Sequence, residues 1–494
     1  AKNILVSGII GGLYEFCVST FGRWHETFTT RVMPAGLERE EKTKVVFKVN
    51  IGAAVLGLGY IIGLKYAAII CAGSFVAWYV IIPLIANFGG ESTIMIRQGV
   101  DLVPTLIKNA SAEQIFSETA RLIGIGGIAM AGLVGIIRSS GIIKSAFGLA
   151  VRELKGKGAV NENVKRTQRD LPMKIIAIGI LVTLLLVFIF FWFGVIHNLW
   201  QAVIAVLIVA IIAFLFTTVA ANAIAIVGTN PVSGMTLMTL IITSLVMVAA
   251  GLSGTAGMIA ALIIGGVVCT ALSMAGGFIT DLKIGYWLGS TPMKQQTWKF
   301  LGTFVSAITV GGVIMLLNKT YGFTGDKALV APQANAMAAV IKPMMSGEAT
   351  PWLLYGVGAG LALILTMIGV PALPFALGMF IPLDLNTPLL IGGLVSWFVT
   401  TRSKDNGLNQ ARSERGTLIA SGLIAGGALM GVVSAIIQFV QNGRIESAVE
   451  ALGGTATAEQ INQIHDSHSF INQAWLANDW STWLSLIMML ALCG

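Results

Sequence analysis

Between Lys174 and Asp281 the chain carries no Asp, Glu, Lys or Arg. A spanning helix needs roughly 17–25 mostly apolar residues, because each adds about 1.5 Å against a hydrocarbon core of about 30 Å. The interval holds four such helices, read as Ile175–Ile196, Trp200–Ile226, Met235–Leu252 and Gly257–Gly277. Polar joints separate them at His197-Asn198, Gly228-Thr229-Asn230-Pro231 and Ser253-Gly254-Thr255. Composition agrees, with 55% hydrophobic and 11% charged residues among 494 and a mean hydropathy of +0.84. Soluble chains average about 45–50% and about 25%, so this is an integral membrane protein. The net charge of +8 then reads as basic cytoplasmic loops, not as a nucleic-acid surface. Cys17, Cys71, Cys269 and Cys493 are scattered through apolar segments, without metal-ligand spacing or the density of a disulfide scaffold.

Further spans fit Ile4–Phe21, Val45–Gly63, Tyr66–Phe88, Glu118–Ile137, Gln295–Leu317, Trp352–Ile368 and Gly416–Phe439. Pro371–Phe398 differs, because Pro382-Leu383-Asp384 interrupts it and leaves Pro371–Ile381 and Pro388–Phe398 each too short to cross. Backbone broken at membrane depth is tolerated where protein or a wet cavity covers it, so the segment reads as a re-entrant hairpin. Both ends read as clipped, at Ala1 and within the apolar run Trp480–Cys493. Arg138–Lys174 holds nine basic residues against three acids, and Arg402–Arg415 is also basic. Basic loops stay cytoplasmic, and an even count of crossings between the two loops puts both on that side. The acidic segment Asn442–Asp479 then faces outside. The slightly basic Gly22–Lys44 falls outside too, unless Val45–Gly63 is not a full span. Glycines at Gly8/Gly12, Gly356/Gly360, Gly422/Gly426 and Gly427/Gly431 have the spacing that lets helices approach closely in lipid.

Several features carry chemistry. Gly228-Thr229-Asn230-Pro231-Val232-Ser233-Gly234 reads either as unwound backbone holding a substrate at mid-depth or as a tight interfacial turn, with Asn222, Thr217 and Thr218 a few turns earlier. The interruption Phe380–Pro388 places Asp384 at its tip, with Asn386 beside it. An ionisable group inside the membrane costs about 2.5–3.5 kcal/mol and usually lines a pathway; at headgroup level Asp384 is merely solvated. Glu15 sits well inside the first span, as a proton carrier or as a helix-to-helix hydrogen-bonding group. Asp281 and Lys283 form a local ion pair, hold the termini of a zwitterionic ligand, or belong to a connector ending in interfacial Tyr286 and Trp287. His465-Asp466-Ser467-His468 offers two His with no third ligand, so no metal site is expected. There is no P-loop, GxSxG elbow, HExxH or iron–sulfur cysteine cluster, and no enzyme is expected.

Taken together, Asn230–Met235, Asp281–Gln296, Pro332-Gln333-Ala334-Asn335-Ala336-Met337 and Gly378-Met379-Phe380-Ile381-Pro382 resemble, in order, blocks of the oligopeptide transporter (OPT) family, closer to its prokaryotic and yellow stripe-like branches. The resemblance runs from about Ile4 to Val440. It implies an all-α polytopic membrane helical bundle with broken or re-entrant helices, of about sixteen helices when complete and about 12–14 here. Residues 1–441 would be the transport region, 442–479 an extracytoplasmic polar loop, and 480–494 the start of a final helix. Family members normally carry extra helices before the point where this chain starts. The implied activity is proton-coupled import of small peptides or metal–chelate complexes. The implied location is a bacterial inner membrane, with lipid and a small-molecule substrate as partners, no nucleic acid, and a homodimer as an option. No cofactor is implied beyond the proton gradient; each charge moved across 100 mV supplies about 2.3 kcal/mol. The resemblance places Asn230, Ser233, Asp281, Lys283, Gln333, Met337 and Met379 near the pathway; the reading of the residues themselves adds Asn222 and Asn386 for the substrate and Glu15 and Asp384 for the proton. The leading expectation is symport of short peptides or peptide-like compounds such as glutathione. The alternatives are chelate uptake and a channel or scaffold, although neither rings of like charge nor a repeated filter is present.

Overall fold

The computed structural model describes residues 2–98, 101–138, 141, 165–227, 232–323, 332–346, 351–450, 470–471 and 473–493. The expectation of an all-α membrane bundle holds. Among the described residues, eight helical stretches are long and apolar enough to cross a membrane, and the strands form only two two-stranded sheets. The chain packs as two compact units.

The first unit comprises residues 1–124, 310–330 and 374–494. Its N-terminal helix α1 (Lys2–Ser19) lies along α17 (Asn406–Glu450). Gly8 and Gly12 face Gly422 and Gly426, where a methyl on Gly426 would collide with the Gly8 carbonyl. The predicted glycine spacing is therefore used here, because without side chains the two backbones come into contact. Gly356, Gly360 and Gly431 have no such neighbour. Next come β1 (Thr27–Thr29), a 3-10 turn (Thr30–Val32), α2 (Pro34–Thr43) and β2 (Lys48–Asn50). β1 and β2 pair antiparallel with Phe28 opposite Val49, and both side chains are buried with Tyr14, Trp24 and Ile51. Val45–Gly63 is thus not a span, since only α3 (Ala53–Ile62) is helical there and it is too short. A strand that must pair through its backbone cannot join the helix. The α1 helix runs parallel to α17, with Thr20 against Ser434 and Arg23 O accepting from Trp475 Nε1, so Gly22–Lys44 starts at the end of α17 remote from the basic Arg402–Arg415 and stays an exception to the orientation rule.

The crossing Leu64–Phe88 consists of α4 (Leu64–Phe75), a π-helical stretch (Val76–Ile81) and α5 (Ile82–Phe88). A hairpin of β3 (Thr93–Gln98) and β4 (Asp101–Leu106) precedes α6 (Ala112–Ile115), a second π stretch (Phe116–Ala120) and α7 (Arg121–Arg138). Ser111 opens α6 with a reciprocal cap to Gln114.

The second unit comprises residues 125–309 and 331–373. It contains α8 (Met173–Phe190), extended by a π stretch to Ile196, then α9 (Leu199–Val227), α10 (Val232–Ala249) and α11 (Gly254–Trp287). After these come the first part of α12 (Pro292–Tyr321), α13 (Pro332–Ser346) and α14 (Trp352–Met367). Its core gathers Phe191, Ile212, Phe216, Leu240, Met247, Ile264, Val268, Leu272 and Ile341. The segment before α8 is pinned to the turn after α11. Arg166 donates to Gly289 O (2.9 Å), the Leu171 amide to Gln296 Oε1 (2.7 Å), and the Met293 amide to Arg169 O (2.9 Å). Four helices therefore return to their starting level, as four crossings must.

Several boundaries shift. The helix α11 continues through Trp287, so Asp281 and Lys283 are helical and the connector shrinks to the turn before Pro292. The α10 helix starts at Val232, so Val232–Gly234 are not unwound. The helix α17 runs on to Glu450, past the expected loop start at Asn442. The block opening at Pro332 begins a helix, α13, that no hydropathy run announces. Returning to the first unit, α15 (Ala372–Phe380) and α16 (Leu383–Thr401) confirm a break, but α16 starts five residues before the expected Pro388 and is long enough to cross. The last helices are α18 (Gln473–Leu476) and α19 (Asp479–Cys493).

Candidate functional site

The break Ile381-Pro382 in the first unit is the best-defined candidate. Pro382 precedes α16 with extended backbone (φ −53°, ψ 149°), as proline's fixed φ and missing donor favour at a helix start. Pro388 then sits inside α16, where it cannot donate to the Asp384 carbonyl. The Thr387 hydroxyl lies nearest Lys48 O (2.8 Å), with Leu383 O (3.1 Å) and Asp384 O (3.3 Å) sharing its single proton. Asn386, fully buried, fastens the two arms. Its amide nitrogen is 3.1 Å from both Gly378 O and Ile381 O, at the end of α15, and 2.9 Å from Ser74 Oγ on α4. The first turn of α16 therefore lies beside the last turn of α15, and the chain bends sharply. The Asn386 Oδ1 acceptor, on the same group, has no hydrogen-bond partner.

Neighbouring helices fix the depth of the break. A Cβ on Gly124 would lie 2.9 Å from Phe380 N and 3.1 Å from Met379 C. Gly124 is the thirteenth residue of the 24-residue stretch Ala112–Gly135, and Ser74 the eleventh of the 25-residue stretch Leu64–Phe88. The interruption is thus level with the middle of both. On α4 a methyl at Gly73 would collide with Phe375 O, and one at Gly378 with Ile70 O. Both π stretches also reach this region. Trp78 from the first stacks on Phe116 from the second, with centroids 4.9 Å apart and planes at 29°. Such wide turns recur at functional sites. The Trp78 indole N–H is buried without a partner.

Charges gather beside the break. Asp384 is in the first turn of α16, where the positive end of the helix dipole favours a carboxylate. Lys48, whose carbonyl faces Thr387, pairs through its ammonium with Glu113 at the start of α6. Arg31 also reaches Glu113 (2.9 and 3.0 Å) and pairs with Glu40. The hydrogen bond that Arg31 donates to Glu40 holds the guanidinium above its ordinary range, against the opposing effect of burial. Among the described residues no salt bridge involves Asp384 or Glu15.

The other expected residues are dispersed. Glu15 is half-buried on α1, close enough to Glu26 to be repelled by it, and no hydrogen bond links it to Asp384. Met379 is packed at 1% exposure. In the second unit Asp281 pairs with Lys299, not with Lys283. Lys283 instead lies over the rings of Tyr286 (5.7 Å) and Trp287 (5.5 Å); its cation faces aromatic rings while the carboxylate reaches the next helix. Met337 packs against that unit's core. Thr217 and Thr218 donate to carbonyls of their own helix, which leaves their oxygens as acceptors. Asn222, Ser233 and Gln333 fall on α9, α10 and α13, with their side chains outside the description. Gly228–Pro231, with Asn230, and the His465–His468 motif lie outside the described residues.

Sequence reading missed Arg121, which lies well inside the Ala112–Gly135 stretch with its guanidinium 4.7 Å from the centroid of the Phe380 ring. The signal was one basic residue beside Glu118 at the head of an apolar, glycine-rich run.

Comparison with known proteins follows this geometry. A family model described as "OPT oligopeptide transporter protein" matches residues 2–438. A protein of Haemophilus influenzae (strain ATCC 51907 / DSM 11121 / KW20 / Rd) named "Putative oligopeptide transporter" is 27% identical over 485 residues, covering 88% of this chain and 72% of that protein.

Proposed function

The chain belongs to the OPT oligopeptide transporter family, and from that premise we propose that this multi-pass membrane transporter imports short peptides, or peptide-like compounds such as glutathione, together with protons across a bacterial inner membrane. The observation that carries the reading is the sharp break at Ile381-Pro382, level with the middle of two crossings and bearing a buried acceptor with no partner, Asn386 Oδ1. An open acceptor at such a break, here Asn386 Oδ1, suits the amide N–H of a substrate that is itself mostly peptide backbone, which gives tolerance of side chains. Asp384, beside the Lys48–Glu113 pair but outside it, is the first candidate for the coupling proton, and Glu15 on α1 the second. A carboxylate that takes up a proton no longer competes for a neighbouring cation, so protonation of Asp384 would change the forces on Lys48. That is the kind of local charge change that biases a two-state element.

The test is uptake of labelled tripeptides into proteoliposomes. An outside-acidic gradient is expected to accelerate uptake and to drive accumulation above the external concentration. Asp384→Asn should abolish gradient-driven accumulation while leaving exchange of peptide across the membrane. Unchanged rates with and without the gradient would remove the coupling. Competition by a metal-loaded chelator but not by its metal-free form would replace peptides with chelates as cargo.

A further inference from the structure

The peptide-transport reading leaves one mid-depth charge without a task. Arg121 is the tenth residue of the 24-residue stretch Ala112–Gly135. A cation at that level is expensive, and in membrane proteins such groups mark substrate or ion paths. Its guanidinium stands 4.7 Å from the centroid of the Phe380 ring. Phe380 is fully buried and is the last helical residue before the break. A guanidinium held over a ring keeps its donors in its own plane, as a fork matched to a carboxylate. Glu118, three residues earlier, supplies one counter-charge; a planar cation with five donors can take a second anion on another edge.

Two further groups lie on elements packed around the break. Asn386, anchored to the end of α15 beside Phe380 and to Ser74, has a buried acceptor with no partner. Trp78, one turn after Ser74 and stacked on Phe116, has a buried N–H donor with no partner. Phe116 opens the π stretch that ends where α7 begins at Arg121. The set therefore offers a cationic fork, one acceptor and one donor. The carboxyl end of a peptide presents the complement, namely a carboxylate, an amide N–H and an amide carbonyl.

We propose that Arg121 is the anchor for the C-terminal carboxylate of the transported peptide, with Asn386 Oδ1 and Trp78 Nε1 reading the main chain next to it. The inference rests on the peptide-transporter reading and adds to it a requirement for a free carboxyl end. Phe380 positions the guanidinium and does not touch the substrate.

The experiment uses the full chain in proteoliposomes and three competitors of labelled trialanine: the free acid, its C-terminal amide and its N-acetyl derivative. Wild type is expected to favour the free acid and the N-acetyl form over the amide by about ten- to hundredfold, the range for a hydrogen bond to a charged group. Arg121→Gln should bring that ratio close to one, mainly through a raised KM, and Arg121→Lys should restore part of it. Trp78→Phe should weaken all three competitors alike and leave the acid-to-amide ratio intact. Should Arg121→Gln fail to fold, as judged by thermal unfolding in detergent, Arg121→Lys and Trp78→Phe carry the comparison. A wild-type protein that takes acid and amide equally, or an Arg121 variant that keeps the wild-type ratio, overturns the assignment while the transporter reading stands. Absence of uptake of any peptide by wild type removes both.

Discussion

At the scale of single residues, the break is held by atoms that leave no room. Gly378 on α15 faces the Ile70 carbonyl so closely that a methyl group would collide with backbone, not with a flexible side chain. Backbone cannot yield without parting α15 from α4, so Gly378→Ala should cost about 1–3 kcal/mol, the usual range for overpacking. Gly356→Ala, at a position with open space around it, should leave the thermal midpoint in detergent unchanged. Equal behaviour of the two would mean that α15 and α4 do not meet as described. Such contacts were half-legible in the chain. The paired spacing Gly8/Gly12 and Gly422/Gly426 announced the α1–α17 approach, but the same spacing at Gly356/Gly360 has nothing opposite it. Spacing declares that a helix can be approached, and the partner's position decides whether it is.

Among the elements, the strand β2 has a role that its three residues do not suggest. Lys48 gives its carbonyl to Thr387 on α16 and its ammonium to Glu113 at the head of α6, so one residue ties the loop after α1 to two membrane elements. The side chains of Lys48 and Glu113 are 17% and 37% exposed, which places the pair between surface and interior. A double-mutant cycle with Lys48→Met and Glu113→Gln should give a coupling of about 0.5–1 kcal/mol in thermal unfolding, at the upper end for partly exposed pairs. A coupling of zero would make Lys48 a packing residue only. Arg31, which also reaches Glu113, would take up part of the loss in the Lys48 variant and lower the measured value. None of this was visible in the chain, because Lys48 and Glu113 are 65 residues apart and the segment between them reads as ordinary spans and loops.

For the molecule as a whole, the charge pattern makes a prediction about sidedness. Lys404 lies in the basic turn before α17, and Asn478 in the turn before α19, with α17 as the apolar helix between them. Single cysteines placed by Lys404→Cys and Asn478→Cys in a background without the four native cysteines should react with a membrane-impermeant maleimide from opposite faces, Lys404→Cys from the cytoplasmic one. Labelling of both from one face would overturn the orientation. Hydropathy and loop charge alone determined that this chain lives in a bilayer, where most of its crossings fall, and that its helix near Pro382 is interrupted, because lipid forbids unsatisfied backbone and makes long apolar runs unmistakable. Family membership was also legible, from four ordered blocks. Only the tertiary structure decided that Val45–Gly63 pairs as a strand before its short helix, that Asp281 answers to Lys299, and that Arg121 stands over Phe380 at the break. Those outcomes depend on which residue a neighbouring helix brings opposite, and at any one position the chemistry of a side chain is silent about its partner across the bundle.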